Sequence, residues 1–203
     1  MNWKNILLPI SLGIALAAAG CTSEYGKVEQ GRAIAFDKEK QEVTVIHDSA
    51  MDPQHPVYDV FPAAVFKLPT DPKEIGPLPN VGQRLQIDAK NNKIVIYDLQ
   101  EDKIVDVPIV ISDLQQPISK DHPLVYDAAA QKQKKFPQID AAKKTITVYS
   151  SRQKLLCTFT APDQYFAYPE STWVAGDEVR IYYKVDGQAL RFMNITQTNI
   201  YKR

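Results

Sequence analysis

From Gly31 onward, apolar and polar residues alternate with a period of two. Val43 and Val45 flank Thr44. Leu85 and Ile87 alternate with Arg84, Gln86 and Asp88, and Ile94 and Ile96 with Lys93, Val95 and Tyr97. Ile146 and Val148 alternate with Thr145, Thr147 and Tyr149, and Val179 and Ile181 with Glu178, Arg180 and Tyr182. Successive side chains of a strand point to opposite faces, so this pattern predicts half-buried antiparallel strands. After the N-terminal segment, no window of about 12 residues or more carries a helical stripe.

Three hairpins share one spacing. Phe36-Asp37, Ile87-Asp88 and Ile139-Asp140 are each followed by five residues and then by Val43, Ile94 or Ile146. Each aspartate reads as a turn-former that bonds its own backbone rather than as a ligand. The first and third hairpins open similar longer stretches. One runs Val65-Phe66-Lys67-Leu68-Pro69, a loop to Gly82, then Arg84-Leu85-Gln86-Ile87. The other runs Thr158-Phe159-Thr160-Ala161-Pro162, a loop to Gly176, then Glu178-Val179-Arg180-Ile181. The two loops span 13 and 14 positions, which suggests an internal duplication. In the first loop Thr70 or Asp71 can cap a short helix, with Pro72 at its start and Glu74 in its first turn.

The expected architecture is all-β: a tandem of two small OB-like or SH3-like antiparallel barrels, at 31–100 and 135–203. Units of this size are marginal alone, so the barrels should pack together, or residues 101–134 should cover their edges. In that connector Ile104 to Ile111 suits an edge strand, because Pro108 bars a central position. The rest reads as irregular linker.

Residues 1–20 have a different character. Lys4 is their one charged side chain, and Ile6 to Ala19 is an uncharged apolar run of 14 residues. A permanent bilayer span needs about 20, so the run reads as an export signal. It ends Ala18-Ala19-Gly20-Cys21 and turns polar at Thr22-Ser23-Glu24. This junction resembles the lipobox of bacterial lipoproteins, in which the cysteine receives diacylglycerol before cleavage. Ala18 departs from the leucine usual there, and the same stretch also suits an ordinary signal peptidase. The resemblance implies lipid on Cys21, a tether at 21–30 and firm membrane anchoring, because two or more acyl chains hold where one is marginal. By resemblance to Gram-negative sorting, Thr22 after the cysteine implies the outer membrane, with the body facing the periplasm.

Charge narrows the partners. All 24 acidic side chains lie after residue 20, against 23 basic ones, so the body lacks the positive excess that nucleic acid requires. Lys132, Lys134 and Lys135 form a small basic cluster, either solvated linker or a contact for anionic lipid or cell-wall polymer.

Candidate chemistry is sparse. His47, Asp48, Met51, Asp52 and His55 share a polar loop. His47, Asp52 and His55 are the weak metal candidates among them, at a spacing that fits no compact metal motif. Cys157 shares a strand face with Leu155 and Phe159, which suits a buried small hydrophobe better than a nucleophile. A nucleophile elbow, a phosphate-cradling glycine loop and a zinc-protease helix signature are all absent from the sequence. No cofactor is implied. An aromatic run of Tyr165, Phe166, Tyr168 and Trp173 is the best candidate for a ligand or partner surface, the competing reading being that these rings plug a barrel end.

Gly31-Arg32, Phe66-Lys67-Leu68-Pro69-Thr70-Asp71-Pro72, Ala175-Gly176-Asp177-Glu178-Val179-Arg180-Ile181-Tyr182-Tyr183 and Ala189-Leu190-Arg191-Phe192-Met193-Asn194 carry a second resemblance. With them the body resembles an uncharacterised lipoprotein family of Gram-negative anaerobes, a domain of unknown function. That resemblance implies an envelope location and no activity. The expectation is an anchored, non-catalytic binding or scaffolding module with an envelope-protein or cell-wall partner. The alternative is a metal-handling protein or envelope enzyme using the His47–His55 loop or Cys157.

Overall fold

The computed structural model describes residues 25–50 and 55–198. The expected signal at 1–20 and Cys21 lie outside them, as do Met51 and Asp52. The described residues form strands joined by turns and short 3-10 helices. The strands are β1 (Lys27–Asp37), β2 (Glu42–His47), β3 (Ala64–Lys67), β4 (Arg84–Asp88), β5 (Lys93–Asp98), β6 (Lys103–Pro108) and β7 (Val110–Gln115). They continue as β8 (Tyr126–Asp127), β9 (Lys132–Gln133), β10 (Gln138–Asp140), β11 (Thr145–Ser150), β12 (Leu155–Thr160), β13 (Glu178–Val185) and β14 (Gln188–Asn194).

One turn design recurs through the molecule. Asp37 accepts from the backbone N–H groups of Glu39 (2.9 Å) and Lys40 (3.0 Å), Asp88 from Asn91 (3.1 Å) and Asp140 from Lys143 (3.0 Å). Asp98, Asp127 and Ser150 accept from following amides in the same way. Four residues after each acceptor the chain turns left-handed, at Gln41, Asn92, Asp102, Gln131, Lys144 and Lys154, with φ between 49° and 55°. A non-glycine residue pays strain there because Cβ crowds the following carbonyl. Gln131→Gly and Lys154→Gly are each expected to stabilise by about 0.5–1 kcal/mol, read by urea unfolding. A lower midpoint for both would mean that these turns are not left-handed.

The turn amides also hold the carboxyls of Asp37 and Asp140 below the ordinary carboxylate range, chiefly through the Lys40 and Lys143 N–H groups. A folded pKa below the unfolded one stabilises above the unfolded value, and the gain is lost as pH falls through the folded one. The double variant Asp37→Asn, Asp140→Asn should therefore be less stable than the parent at neutral pH. The gap should close in acid, as pH-dependent unfolding would show.

The strands do not sort into two consecutive units. β1 pairs with both β2 and β13, β13 with β14, β2 with β3, and β14 meets β3 at Gln188 and Lys67. The pairing therefore returns on itself in the order β1-β13-β14-β3-β2, using strands from both ends of the chain. The strands between form the sheets β4-β5-β6 and β10-β11-β12-β7. These share one core, in which Ile87, Ile94 and Ile96 join Ile146, Val148 and Phe159. The packing crosses between 31–100 and 135–203: the strand pairs β4-β5 and β13-β14 each pack with the other half's strands. The physical reason is the crossing of two connections. Gly82 N–H donates to the Ala33 carbonyl (3.3 Å), Ala33 N–H to Asp177 (2.9 Å) and Arg84 N–H to Val174 (3.0 Å).

Alternation on β1, β2 and β5 supplies two cores rather than one core and a wet face. Ala33, Val43 and Val45 fill the ring. Their neighbours Ile34 and Ile46 pack outward on Leu85, Val95 and Tyr97. Val95 and Tyr97 are therefore buried, where half-buried strands were expected. Burying each such aliphatic side chain stabilises by about 1.5–3 kcal/mol, so this seam joins the ring firmly to β4-β5.

Two loop expectations meet the structure differently. Pro72–Glu74 forms a single 3-10 turn capped by Asp71, which accepts from Lys73 N–H at 2.9 Å. The 101–134 segment is more ordered than a linker. β6 pairs with β5 and β7 with β12, with Pro108 closing β6 between the two sheets. The β8-β9 ribbon follows, and Ile118 and Val125 pack on Leu156 of β12.

Candidate binding site

Three sequence candidates have structural explanations. Cys157 on β12 is fully buried, and burial pushes its thiol up to about 11. A thiol at that value is almost wholly protonated at neutral pH and is a poor nucleophile. The native protein should therefore leave Cys157 unmodified by a maleimide until denaturant is added; rapid native labelling at Cys157 would contradict its burial. His47 bonds through Nδ1 to Glu29 on the neighbouring strand. Asp48 is buried, accepts from Ala50 N–H (3.1 Å) and Val57 N–H (3.0 Å), and pairs with Arg152 at 2.6 Å. Among the described residues no group of three or more His, Cys, Asp or Glu is placed to hold a metal. The lysine cluster is partly committed: Lys134 bonds the Pro123 carbonyl (2.9 Å) and Lys135 pairs with Glu170 (3.0 Å).

The aromatic run divides. Trp173 is 1% exposed and packs on Phe159 with ring centroids 5.8 Å apart. Tyr165 is also buried in that core. Both are core residues, so of the run only Phe166 and Tyr168 keep partly exposed rings. Phe166 is half-buried against the same core. Tyr168 is half-buried too, held edge-on by Tyr165 at 5.4 Å, and it lines a cleft.

That cleft, about 420 Å³, opens between the end of β5 and the two 3-10 turns at Asp163–Ala167 and Glu170–Trp173. Its walls include Ile96, Tyr97, Leu99, Tyr168 and Thr172, with Gln83 beside them. Gln83 is locked by its backbone: its N–H donates to Ser171 (3.0 Å) and its carbonyl accepts from Tyr97 N–H (2.8 Å). Its side-chain Nε2 donates to the Ile34 carbonyl (3.3 Å), while Oε1 is buried without a partner among the described residues. An unmade hydrogen bond at a buried acceptor costs about 1–3 kcal/mol, so a donor brought by a ligand would recover it. Tyr97 bonds Asp102 through its hydroxyl, and burial, then that bond, pushes its phenol up to about 12. It is a neutral, fixed wall. The cleft thus has the size and the apolar walls typical of a small-molecule or side-chain pocket, with Gln83, Asp98, Gln100, Ser171 and Thr172 as its polar groups.

Only Tyr168 among these residues stood out in the sequence. Gln83 precedes a strand, and Leu99 sits in a turn beside Asp98; neither carries a local signal. They meet Tyr168 because the crossing connections bring residues 83 and 171 together.

No curated protein and no solved structure matches the chain. A family model described as a domain of unknown function (DUF4881) matches residues 24–203, and the chain belongs to that family.

Proposed function

We propose that this protein is a lipid-anchored envelope lipoprotein, held on the outer membrane through Cys21 and facing the periplasm, whose β body is a non-catalytic binding module. Two small OB-like or SH3-like barrels, descended from a duplication and exchanging their final strand pairs, make up that body. The recurring aspartate turns and the parallel roles of β4-β5 and β13-β14 support this descent. The cleft beside Tyr168 carries the binding reading, because it combines apolar walls with the unpartnered Oε1 of Gln83. Its occupant is a small molecule, or a side chain of an envelope protein or cell-wall partner, with an apolar body and one hydrogen-bond donor.

The test is a native pull-down of the full chain from mildly solubilised envelopes, read by mass spectrometry. Tyr168→Ala and Cys21→Ser are the comparison variants. A stoichiometric companion lost in Tyr168→Ala, together with palmitate labelling lost in Cys21→Ser, is expected. Retention of every companion by a folded Tyr168→Ala protein would remove the cleft from the reading. Undiminished palmitate in Cys21→Ser would remove the anchor.

A further inference from the structure

A second cavity, about 200 Å³, lies on the other side of the crossing connections, lined by Arg32, Arg84, Tyr149, Ser151, Arg152 and Lys134. Arg32 and Arg84 are 8% and 4% exposed. Arg32 donates through Nη1 to the Gly176 carbonyl (2.8 Å) and through Nε to the Tyr58 hydroxyl (3.4 Å). Arg84 donates through Nε to the Trp173 carbonyl (2.8 Å) and through Nη2 to the Tyr149 carbonyl (2.8 Å). All four partners are neutral. Among the described residues neither guanidinium pairs with a carboxylate, and no Asp or Glu lines the cavity. Arg152 differs, since Asp48 balances it.

Two buried cations side by side without a counter-ion are unfavourable. Burial first, and the charge of Arg32 second, pull the Arg84 guanidinium down to about 10. Folded proteins normally balance buried charge by pairing it. Each guanidinium has five N–H donors, and the bonds above use two from each. The carbonyl bonds also fix both planes, so the donors are pre-set for an oxygen-rich anion, which arginine binds in a forked geometry.

We propose that this cavity binds a small oxyanion of phosphate type, with Arg32 and Arg84 as its principal ligands. At roughly 30 Å³ per water, the volume equals about seven waters, which holds one phosphoryl group with room beside it. Ser151, exposed at the rim, adds a hydroxyl. The site is separate from the cleft at Tyr168 and does not depend on it.

The test is isothermal titration of the detergent-solubilised full chain with inorganic phosphate, and separately with glycerol phosphate, at matched ionic strength in chloride. One saturable site per chain, with a raised thermal midpoint, is expected. Tighter binding of glycerol phosphate would assign the phosphoryl group to a larger ligand, and equal binding would assign it to the free anion. Arg84→Gln is expected to abolish the heat. Because Arg84 also holds two carbonyls, Ser151→Asp provides a second variant. It places a carboxylate at the rim without disturbing a buried group, and should weaken phosphate at least tenfold while leaving the chain folded. The absence of saturable heat from either phosphate at millimolar concentration, or undiminished affinity in folded Ser151→Asp, would overturn the proposal.

Discussion

Gly176→Ala is expected to lower stability by about 3 kcal/mol, because there is no room for a methyl group where the two connections cross. A Cβ at Gly176 would press on the backbone carbonyl of Ala33, and it would also stand 3.1 Å from the Gly82 carbonyl. Neither neighbour is a side-chain tip that can swing away. The Ala33 carbonyl accepts from Gly82, and the Ala33 N–H donates to Asp177. Moving it disturbs both connections and the pairing of β1 with β13. Asp177 is tied into the same place: its Oδ2 accepts from Asn80 N–H (2.9 Å), Asn194 Nδ2 (2.9 Å) and Gln197 Nε2 (2.6 Å). For a chain of this length the loss corresponds to a fall of roughly 6–12 °C in thermal midpoint. Circular dichroism of the full chain in detergent measures it. An unchanged midpoint would mean that the crossing is looser than described.

Trp173→Ala should cost about 3–5 kcal/mol, the range for removing a large aromatic from a packed core. Trp173 sits where β4-β5 and β11-β12 share their core, and its ring fills the space above Phe159. Its carbonyl also receives Arg84 Nε, so collapse there would reach the arginine cavity. Tyr168→Ala is the informative contrast. That ring is half-buried at the lip of the cleft, and its loss should change stability by about 1 kcal/mol or less. Urea unfolding of the two variants distinguishes them. Equal, small effects would return Trp173 to the surface; equal, large effects would make Tyr168 a core residue and weaken the cleft as a binding site.

The aromatic run shows where local reading stops. Spacing and composition marked Tyr165, Phe166, Tyr168 and Trp173 as a group, but a short 3-10 segment has no long periodicity to say which rings point inward. Packing against Phe159 decided that for Trp173. Val95 and Tyr97 are a related case. Alternation on β5 correctly separated its two faces, but the seam with Ile34 and Ile46 buries the face that a single sheet would leave wet. Arg84 stood in the alternation as a polar neighbour of Leu85. Its burial beside Arg32 depends on contacts between residues far apart in the chain.

By itself, the sequence determined the all-β class, a short capped turn at Thr70 or Asp71, and three of the six recurring turns, those of Asp37, Asp88 and Asp140. These are short-range matters: a period of two within a strand, or a carboxylate reaching amides two and three residues ahead, needs no knowledge of the rest of the chain. Tertiary structure alone decided which strands pair across the halves, which rings become core, and what stands around the two cavities. Pairing partners are chosen by hydrogen bonds and burial between segments 150 residues and more apart, such as Gln30 with Arg180. The described strands have similar local preferences, and the close approach at Gly82 and Gly176 is one of the long-range contacts that favour the exchanged arrangement.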